Sequence, residues 1–211
     1  MKDLSLHILD LSQNSISAGA SLVEISIIEN TKADRLTICI EDNGKGMDKE
    51  FVEKVKDPFV TTRTSRRVGL GIPLMMAACR RCEGDLVIES EKNAGTRLTA
   101  EFKHSHIDRA PIGNMAETMI SLILAGSEAN RAVDFIYRHI IDERDLCLDT
   151  REIRTALGND ISLGEPEVLI WIKDYINEGL KNIRGGVKDE NNSGIGRNQK
   201  ENPGNNQCQK R

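Results

Sequence analysis

The stretch Glu41-Asp42-Asn43-Gly44-Lys45-Gly46-Met47 (residues 41–47) places a carboxylate and two glycines directly after a run of strand-forming residues. A carboxylate at the end of a strand can accept a hydrogen bond from the exocyclic amine of a heterocycle. Glycines allow the backbone to lie against such a flat ring, and Met47 is an adaptable apolar side chain that could cover it. A plain hairpin turn has the same pattern, so the surrounding residues must decide the fold.

On the N-terminal side, apolar residues at helical spacing predict a helix from about Leu4 to Ala18, and this helix carries Asp10 and Asn14. Their i, i+4 spacing puts both side chains on one helix face. The amide oxygen of Asn14 suits Mg²⁺, and a carboxylate one turn away suits a general base that activates water. A polar stripe on a solvated helix would look the same. Two strands are predicted between this helix and residues 41–47.

On the C-terminal side, residues 57–67 lack an apolar period and contain three arginines, which predicts a loop. Val68-Gly69-Leu70-Gly71-Ile72 (residues 68–72) then lead into a helix predicted from about Leu70 to Arg81. Glycines at the start of a helix let its first amides point at a phosphate, whose charge the helix dipole favours. A flexible basic loop is the alternative interpretation of residues 57–67.

These features form four boxes in a fixed order: residues 10–20, 41–47 and 57–72, and then Gly95-Thr96 in a predicted hairpin of strands. In this order they resemble the GHKL superfamily, the ATP-binding fold of histidine kinases, anti-sigma-factor kinases, gyrase-type ATPases and mismatch-repair ATPases. Residues 10–20 look most like the mismatch-repair version, and residues 57–72 look like the histidine-kinase version. The resemblance covers about residues 4–102.

The resemblance implies a site for ATP and Mg²⁺. It assigns Asn14 to the metal and Asp42 to the adenine amino group. The other cofactor-binding residues that it implies shape the adenine pocket (Gly44, Gly46, Met47 and Thr96) or lie at the phosphates (Thr62, Arg63, Gly69, Leu70 and Gly71). Residues 57–68 correspond to the lid that closes over the nucleotide.

The chain departs from the family pattern at three points. The ATPases and anti-sigma kinases have Glu where this chain has Asp10, so the candidate general base is one methylene shorter. The strand that usually precedes the first helix is absent, which predicts a bare sheet edge that another chain or the C-terminal helices could cover. A Cys-X-X-Cys pair, Cys79 and Cys82, has no second pair nearby and is interpreted as structural.

The predicted fold class is α+β, a two-layer sandwich of a mixed β-sheet with helices on one face, followed by a small all-α region. The predicted domains are an ATP-binding domain (1–103), a linker (104–111), a helical partner-docking region (112–184) and a disordered tail (185–211). Within the helical region, helices are predicted at about 112–125, 128–142, 150–157 and 166–181. The tail is rich in Asn, Gly, Lys and Gln and has almost nothing apolar to bury.

Composition excludes several partner classes. The formal net charge of −4 and the aromatic content of 3% argue against nucleic acid. No apolar run approaches the roughly 20 residues that span a bilayer, so we expect no membrane partner. The N-terminus lacks the apolar stretch of a signal peptide, and we expect a cytoplasmic location. The remaining partner is an unidentified regulatory protein, and a homodimer stays open.

Three functions stay open at this point. The chain could be a slow ATPase that acts as a conformational clamp, or a Ser/Thr protein kinase like the anti-sigma-factor kinases. It could also be a nucleotide-dependent binding protein without turnover, because its base position is Asp10. All three share ATP–Mg²⁺ binding and a lid, residues 57–68, that senses the γ-phosphate.

Overall fold

The protein is described here by a computed structural model that covers residues 2–56, 70–127, 132–158 and 161–185. Twelve elements lie in these ranges. In chain order they are α1 (Leu4–Ser17), β1 (Leu22–Asn30), β2 (Arg35–Asp42), α2 (Lys49–Lys54), α3 (Gly71–Arg81), β3 (Leu86–Glu91), β4 (Gly95–Lys103), α4 (Met115–Ser127), β5 (Asp134–Ile141), β6 (Arg144–Asp149), α5 (Thr150–Leu157) and α6 (Pro166–Gly185).

The strands form one mixed sheet in the order β3-β4-β2-β1-β5-β6. Neighbouring strands are antiparallel, except that β1 and β5 run parallel. Four helices pack against one another: α1 contacts α3 and α4, and α4 contacts α6. A mixed sheet packed against helices confirms the predicted α+β class.

The C-terminal half differs from the sequence prediction. A helix was expected at 128–142, but Asp134–Ile141 form strand β5, and β6 follows it in the same sheet. The expected small all-α region is therefore wrong in this part, although α4, α5 and α6 lie where helices were predicted. Strand β5 was not recognised from the sequence because three consecutive residues, Phe135, Ile136 and Tyr137, are all buried. A strand inside a sheet is covered on both faces, so it loses the alternation that identifies strands from sequence.

Strand β5 also covers the sheet edge that was expected to be bare. It runs along β1 from the Leu22–Asp134 pair to the Glu29–Ile141 pair. The edge is thus covered by a strand from the C-terminal half of the same chain, whereas the sequence suggested a second chain or helices. As a result the two halves of the chain share one sheet.

The spacing of the apolar residues in helix α1 gives the helix a side that faces the core. Asp3 caps its N-terminus by accepting a hydrogen bond from the Leu6 amide, which satisfies one of the free amides of the first turn. Leu4, Ile8 and Leu11 face the core and are at most 1% exposed. Burial of each such side chain contributes about 1.5–3 kcal/mol, which holds the helix against the sheet.

The segment predicted as a linker, 104–111, makes specific contacts. His104 Nε2 lies 3.0 Å from a carboxylate oxygen of Glu29, and Arg109 Nε donates to the His104 carbonyl. The Leu4 amide, at the start of α1, donates to the Pro111 carbonyl. The predicted disordered tail, apart from Gly185 at the end of α6, lies outside the described residues. None of the described helices has the length and apolar character needed to cross a bilayer.

Candidate functional site

The carboxylate of Asp42 lies at the end of β2, where the chain leaves the sheet. Its Oδ2 accepts a 2.6 Å hydrogen bond from the hydroxyl of Ser15 on α1, and its Oδ1 accepts a 2.8 Å hydrogen bond from the Gly44 amide. The residue is half-buried. A carboxylate offers about four acceptor positions, so two fixed bonds orient it and leave others for a donor from outside.

Glycines surround this carboxylate because the backbone segments approach one another closely. A Cβ at Gly44 would lie 2.9 Å from Asp42 Oδ1. At Gly46 it would collide with the Glu91 carbonyl, and at Gly95 it would collide with the carbonyl of Asp42 itself. Gly46 and Gly95 also have φ of +58° and +101°, which glycine adopts most readily. The predicted roles of Gly44 and Gly46 as backbone-shaping residues therefore have a steric basis.

A single hydroxyl, that of Ser90 on β3, joins the turn after β2 to the start of β4. It accepts a 2.8 Å hydrogen bond from the Met47 amide and donates a 2.9 Å hydrogen bond to the Gly95 carbonyl. Its 2.9 Å contact with Thr96 Oγ1 must then use the Thr96 hydrogen, because a serine has only one to give. Thr96 pairs with Asp42 in the sheet register, so this network sits beside the carboxylate.

The start of α3 meets the middle of α1 at the other end of the site. A Cβ on Gly71 would lie 2.6 Å from Asp10 Oδ2, so a side chain at this position would force that carboxylate to move. Helix α3 begins after Leu70, whose side chain makes no capping hydrogen bond, so amides of the first turn need acceptors from elsewhere. Asp10 on α1 thus lies beside the N-terminus of α3.

Asn14 lies one turn beyond Asp10 on α1 and one residue before Ser15. It is half-buried, and its carbonyl accepts the Ala18 amide at the end of the helix. The structure places Asp10, Asn14 and Ser15 on one helix, between α3 and the end of β2. Thr62, Arg63 and Gly69 lie outside the described residues, and so does the whole of the expected lid, residues 57–68.

Sequence reasoning missed two residues of this site, Ser15 and Ser90. Ser15 follows Leu4, Ile8 and Leu11 on the buried side of α1, and a small polar residue on a core-facing position was the available signal. Ser90 had no such signal, because its three hydrogen bonds depend on a turn and a strand that meet only in the folded chain.

The Cys-X-X-Cys pair at the end of α3 is buried away from this site. Burial raises the pKa of Cys79 to about 12 and also raises that of Cys82. Because the thiolate is the reactive form, both groups are poor nucleophiles at neutral pH. No group of three or more potential metal ligands occurs among the residues described.

Residues 2–106 match a family model described as "Histidine kinase-, DNA gyrase B-, and HSP90-like ATPase". Among curated proteins, the chain is similar to Sporulation kinase C of Bacillus subtilis (strain 168), with 28% identity over 88 residues, 42% of this chain and 20% of that one. It is also similar to Signal transduction histidine-protein kinase AtoS of Escherichia coli (strain K12), with 32% identity over 99 residues, 47% of this chain and 16% of that one.

Both relatives are much longer than the matching region, so the chain spans a fifth or less of their length. Among solved structures, the chain is similar to the Aquifex aeolicus MutL ATPase domain complexed with ADP. That likeness has 18% sequence identity and a TM-score of 0.42, and it covers 71% of this chain and 63% of the other.

Proposed function

We propose that this protein binds ATP with Mg²⁺ and regulates a partner protein through a lid that responds to the γ-phosphate. The proposal proceeds from the family: residues 2–106 belong to the histidine kinase-, DNA gyrase B- and HSP90-like ATPases. The observation that carries the proposal is the fixed Asp42 carboxylate. Ser15 and Gly44 hold it in one orientation at the mouth of a backbone cradle.

The turn beside Asp42 is built of closely packed backbone, as an adenine pocket would require. A Cβ at Gly46 would collide with the Glu91 carbonyl and one at Gly95 with the Asp42 carbonyl, so both positions need glycine. The amino group of adenine is a donor that suits the remaining acceptor positions of Asp42. Thr96, held by Ser90, stands next to this carboxylate and can support the ring directly or through water.

The phosphate end of the proposed site rests on α1 and α3. The first turn of α3, which Leu70 does not cap, can offer amides to an anion, and the dipole of an eleven-residue helix favours negative charge there. The amide oxygen of Asn14 is a suitable ligand that would hold Mg²⁺, and the ion would offset the negative charge of the phosphates. Asp10, beside Gly71, is then the candidate base for a water or hydroxyl that attacks the γ-phosphate.

The two named relatives are kinases, which supports a phosphoryl-transfer use of the site. The fate of the γ-phosphate tests the alternatives. Release of phosphate by the isolated protein would indicate a slow ATPase, and transfer of labelled phosphate to a partner would indicate a protein kinase. Calorimetric binding of Mg-ATP with neither reaction would indicate a nucleotide-dependent binding protein. No heat of Mg-ATP binding at all would contradict the proposal.

The lid is tested by hydrogen exchange across residues 57–70. This part of the proposal rests on the arginines and hydroxyls of the sequence, which a γ-phosphate could organise by charge-assisted hydrogen bonds. Protection should rise with a non-hydrolysable ATP analogue and should rise much less with ADP. Equal protection by both nucleotides would contradict a γ-phosphate switch.

A further inference from the structure

Helix α6 exposes aromatic side chains on the side that faces away from the core. Ile172 and Ile176 are fully buried, whereas Ile170 is 60% exposed, Trp171 is 53% exposed and Tyr175 is 39% exposed. The rings of Trp171 and Tyr175 stack with their centroids 5.4 Å apart and an interplanar angle of 19°. Adjacent exposed aromatic residues are typical of interfaces, where they supply large contact areas at a small cost in conformational entropy.

Carboxylates surround these rings. Asp145 lies two residues from Cys147 in β6, the strand to which the Tyr175 hydroxyl bonds. Burial, together with the charges of Glu152 and Asp145, raises the pKa of Tyr175. Asp174 lies one turn from Trp171 on the same helix. All three acids are exposed. Among the residues described here, none of the three forms an ion pair.

Three cations near this surface form ion pairs with acids outside the set: Lys173 with Glu117, Arg151 with Asp149, and Arg154 with Asp134. Arg144, next to Asp145, instead donates a hydrogen bond to the Ile183 carbonyl. Asp145, Glu152 and Asp174 thus supply three carboxylates that have no ion-pair partner among the residues described. We call Asp145, Glu152, Ile170, Trp171, Asp174 and Tyr175 the α6–β6 surface.

The edge of the sheet beside these rings is partly closed. Strand β6 is the last strand of the sheet, and Tyr175 donates a 2.9 Å hydrogen bond to the carbonyl of Cys147 in that strand. A peptide that added itself to β6 as a new strand would have to displace this bond. A partner packed on the side chains of the α6–β6 surface would leave it in place.

We propose that the α6–β6 surface docks an amphipathic helical segment of a partner protein that carries arginine or lysine beside apolar residues. Apolar residues of such a segment would cover Ile170 and the rings, and its cations would meet the three carboxylates. An arginine stacked over Trp171 would gain a cation–π contact as well. This inference rests on the proposed function in one respect: the docked segment is taken to belong to the partner protein that the nucleotide site regulates.

Charge complementarity favours this occupant over the others. In a symmetric pair of this chain the same patch meets itself, so the three carboxylates of each copy would face one another. Nucleic acid and anionic membranes carry the same sign of charge as the surface. A cationic, amphipathic protein segment is the class that matches both its apolar and its acidic parts.

Trp171 makes the test direct, because it is the only tryptophan of the chain. The probe is a synthetic, tryptophan-free amphipathic peptide of leucine, alanine and arginine that carries a fluorescent label, and its counterpart has glutamate in place of arginine. Anisotropy measures the binding of each peptide without nucleotide, and the emission of Trp171 reports where it binds. We expect the arginine peptide to bind at least about tenfold more tightly than the glutamate peptide and to shift the emission of Trp171.

Two triple variants give a matched comparison. Asp145→Lys with Glu152→Lys and Asp174→Lys reverses the surface, and Glu89→Lys with Glu91→Lys and Asp108→Lys changes the net charge equally at exposed acids elsewhere. The first should weaken the arginine peptide at least about tenfold, and the second should leave its affinity within about twofold. Equal weakening by both, or binding without a shift in Trp171 emission, would overturn the proposal.

Two further measurements separate other outcomes. If sedimentation shows a wild-type dimer that the surface reversal makes monomeric, the occupant is a second copy and the proposed partner is wrong. Calorimetry of Mg-ATP on the surface reversal should show unchanged affinity, provided that both variants keep the wild-type far-ultraviolet circular dichroism. A protein that binds the peptide as expected but binds no ATP would contradict the proposed function and leave this docking surface intact.

Discussion

The hydroxyl of Ser15 donates a 2.6 Å hydrogen bond to Oδ2 of Asp42, and this bond connects helix α1 to the end of strand β2 across 27 positions of sequence. Because Asp42 Oδ1 is held by the Gly44 amide, the Ser15 bond completes the orientation of the carboxylate. The proposed adenine contact therefore depends on how α1 packs on the sheet as well as on the turn at residues 42–46.

Replacement of Ser15 by alanine should weaken ATP binding. The carboxylate of Asp42 would lose one of its two fixed donors, and hydrogen bonds to charged groups are worth about 1.5–3 kcal/mol. We expect a loss of about three- to tenfold in affinity by calorimetry, since only the positioning of Asp42 is affected. Ser17→Ala is the matched control, because the hydroxyl of Ser17 bonds to the Gln13 carbonyl on the exposed side of the same helix. Equal effects of the two variants would contradict a positioning role for Ser15.

Replacement of Asn14 by alanine should remove the Mg²⁺-dependent part of ATP binding. Its amide oxygen is proposed to reach the metal, so adenosine, which has no phosphates to bridge, should bind the variant as it binds the wild type. Calorimetry with Mg-ATP, ATP in EDTA and adenosine makes the comparison. If adenosine and Mg-ATP lose affinity equally, Asn14 acts on folding or on the base pocket, and the metal assignment is wrong.

Replacement of Asp10 by asparagine should separate binding from chemistry. If Asp10 is the general base, the rate of phosphate release or transfer should fall by about 10²–10⁴-fold, whereas the affinity for Mg-ATP should stay within about threefold. Asp10→Glu, which restores the residue of the related ATPases, should retain activity if Gly71 leaves enough space. Activity unchanged in Asp10→Asn would exclude Asp10 as the base.

The sequence was informative where local chemistry and spacing decide the structure. The strand end at Asp42, the glycines beside it and the first helix all lie where they were predicted, because turns and amphipathic helices have local signals. Strand β5 escaped prediction because its partner β1 lies 112 residues earlier in the chain and three consecutive residues of β5, Phe135 to Tyr137, are buried. Ser90 escaped for a similar reason, since its role exists only where Met47, Gly95 and Thr96 converge.

A partly buried carboxylate, Glu29, ties β1 to β5 and to the segment after β4. Its Oε1 lies 2.7 Å from Nε2 of the fully buried His139, and its Oε2 lies 3.0 Å from His104 Nε2. Burial alone would raise the pKa of Glu29, but the hydrogen bonds from His139 and His104 outweigh it and lower the pKa from 4.5 to about 2. Tyr137, whose own pKa is raised by burial, contacts the other ring nitrogen of His139.

This arrangement predicts a defined loss of stability in acid. A lowered pKa means that the unfolded chain binds the proton first, so the contribution of Glu29 is complete above pH 4.5 and declines as the pH falls toward 2. Glu29→Gln should lower the free energy of unfolding at pH 7 by on the order of 2–3 kcal/mol, and the difference from wild type should narrow between pH 5 and about pH 2. Urea unfolding measures both. Glu24→Gln, on the same strand, is the control, and a difference for Glu29→Gln that stays constant with pH would contradict the lowered pKa.

The most direct test of the central claim compares ATP with inosine triphosphate, in which a carbonyl oxygen replaces the adenine amino group. Two oxygens would then face each other at Asp42, so the wild-type protein should bind ATP at least about tenfold more tightly by calorimetry. Asp42→Asn should weaken ATP at least about tenfold and reduce the preference, whereas Glu41→Gln, at a neighbouring position that pairs with Arg97, should change neither. Unchanged ATP affinity in Asp42→Asn, or equal binding of the two nucleotides by the wild type, would contradict the account.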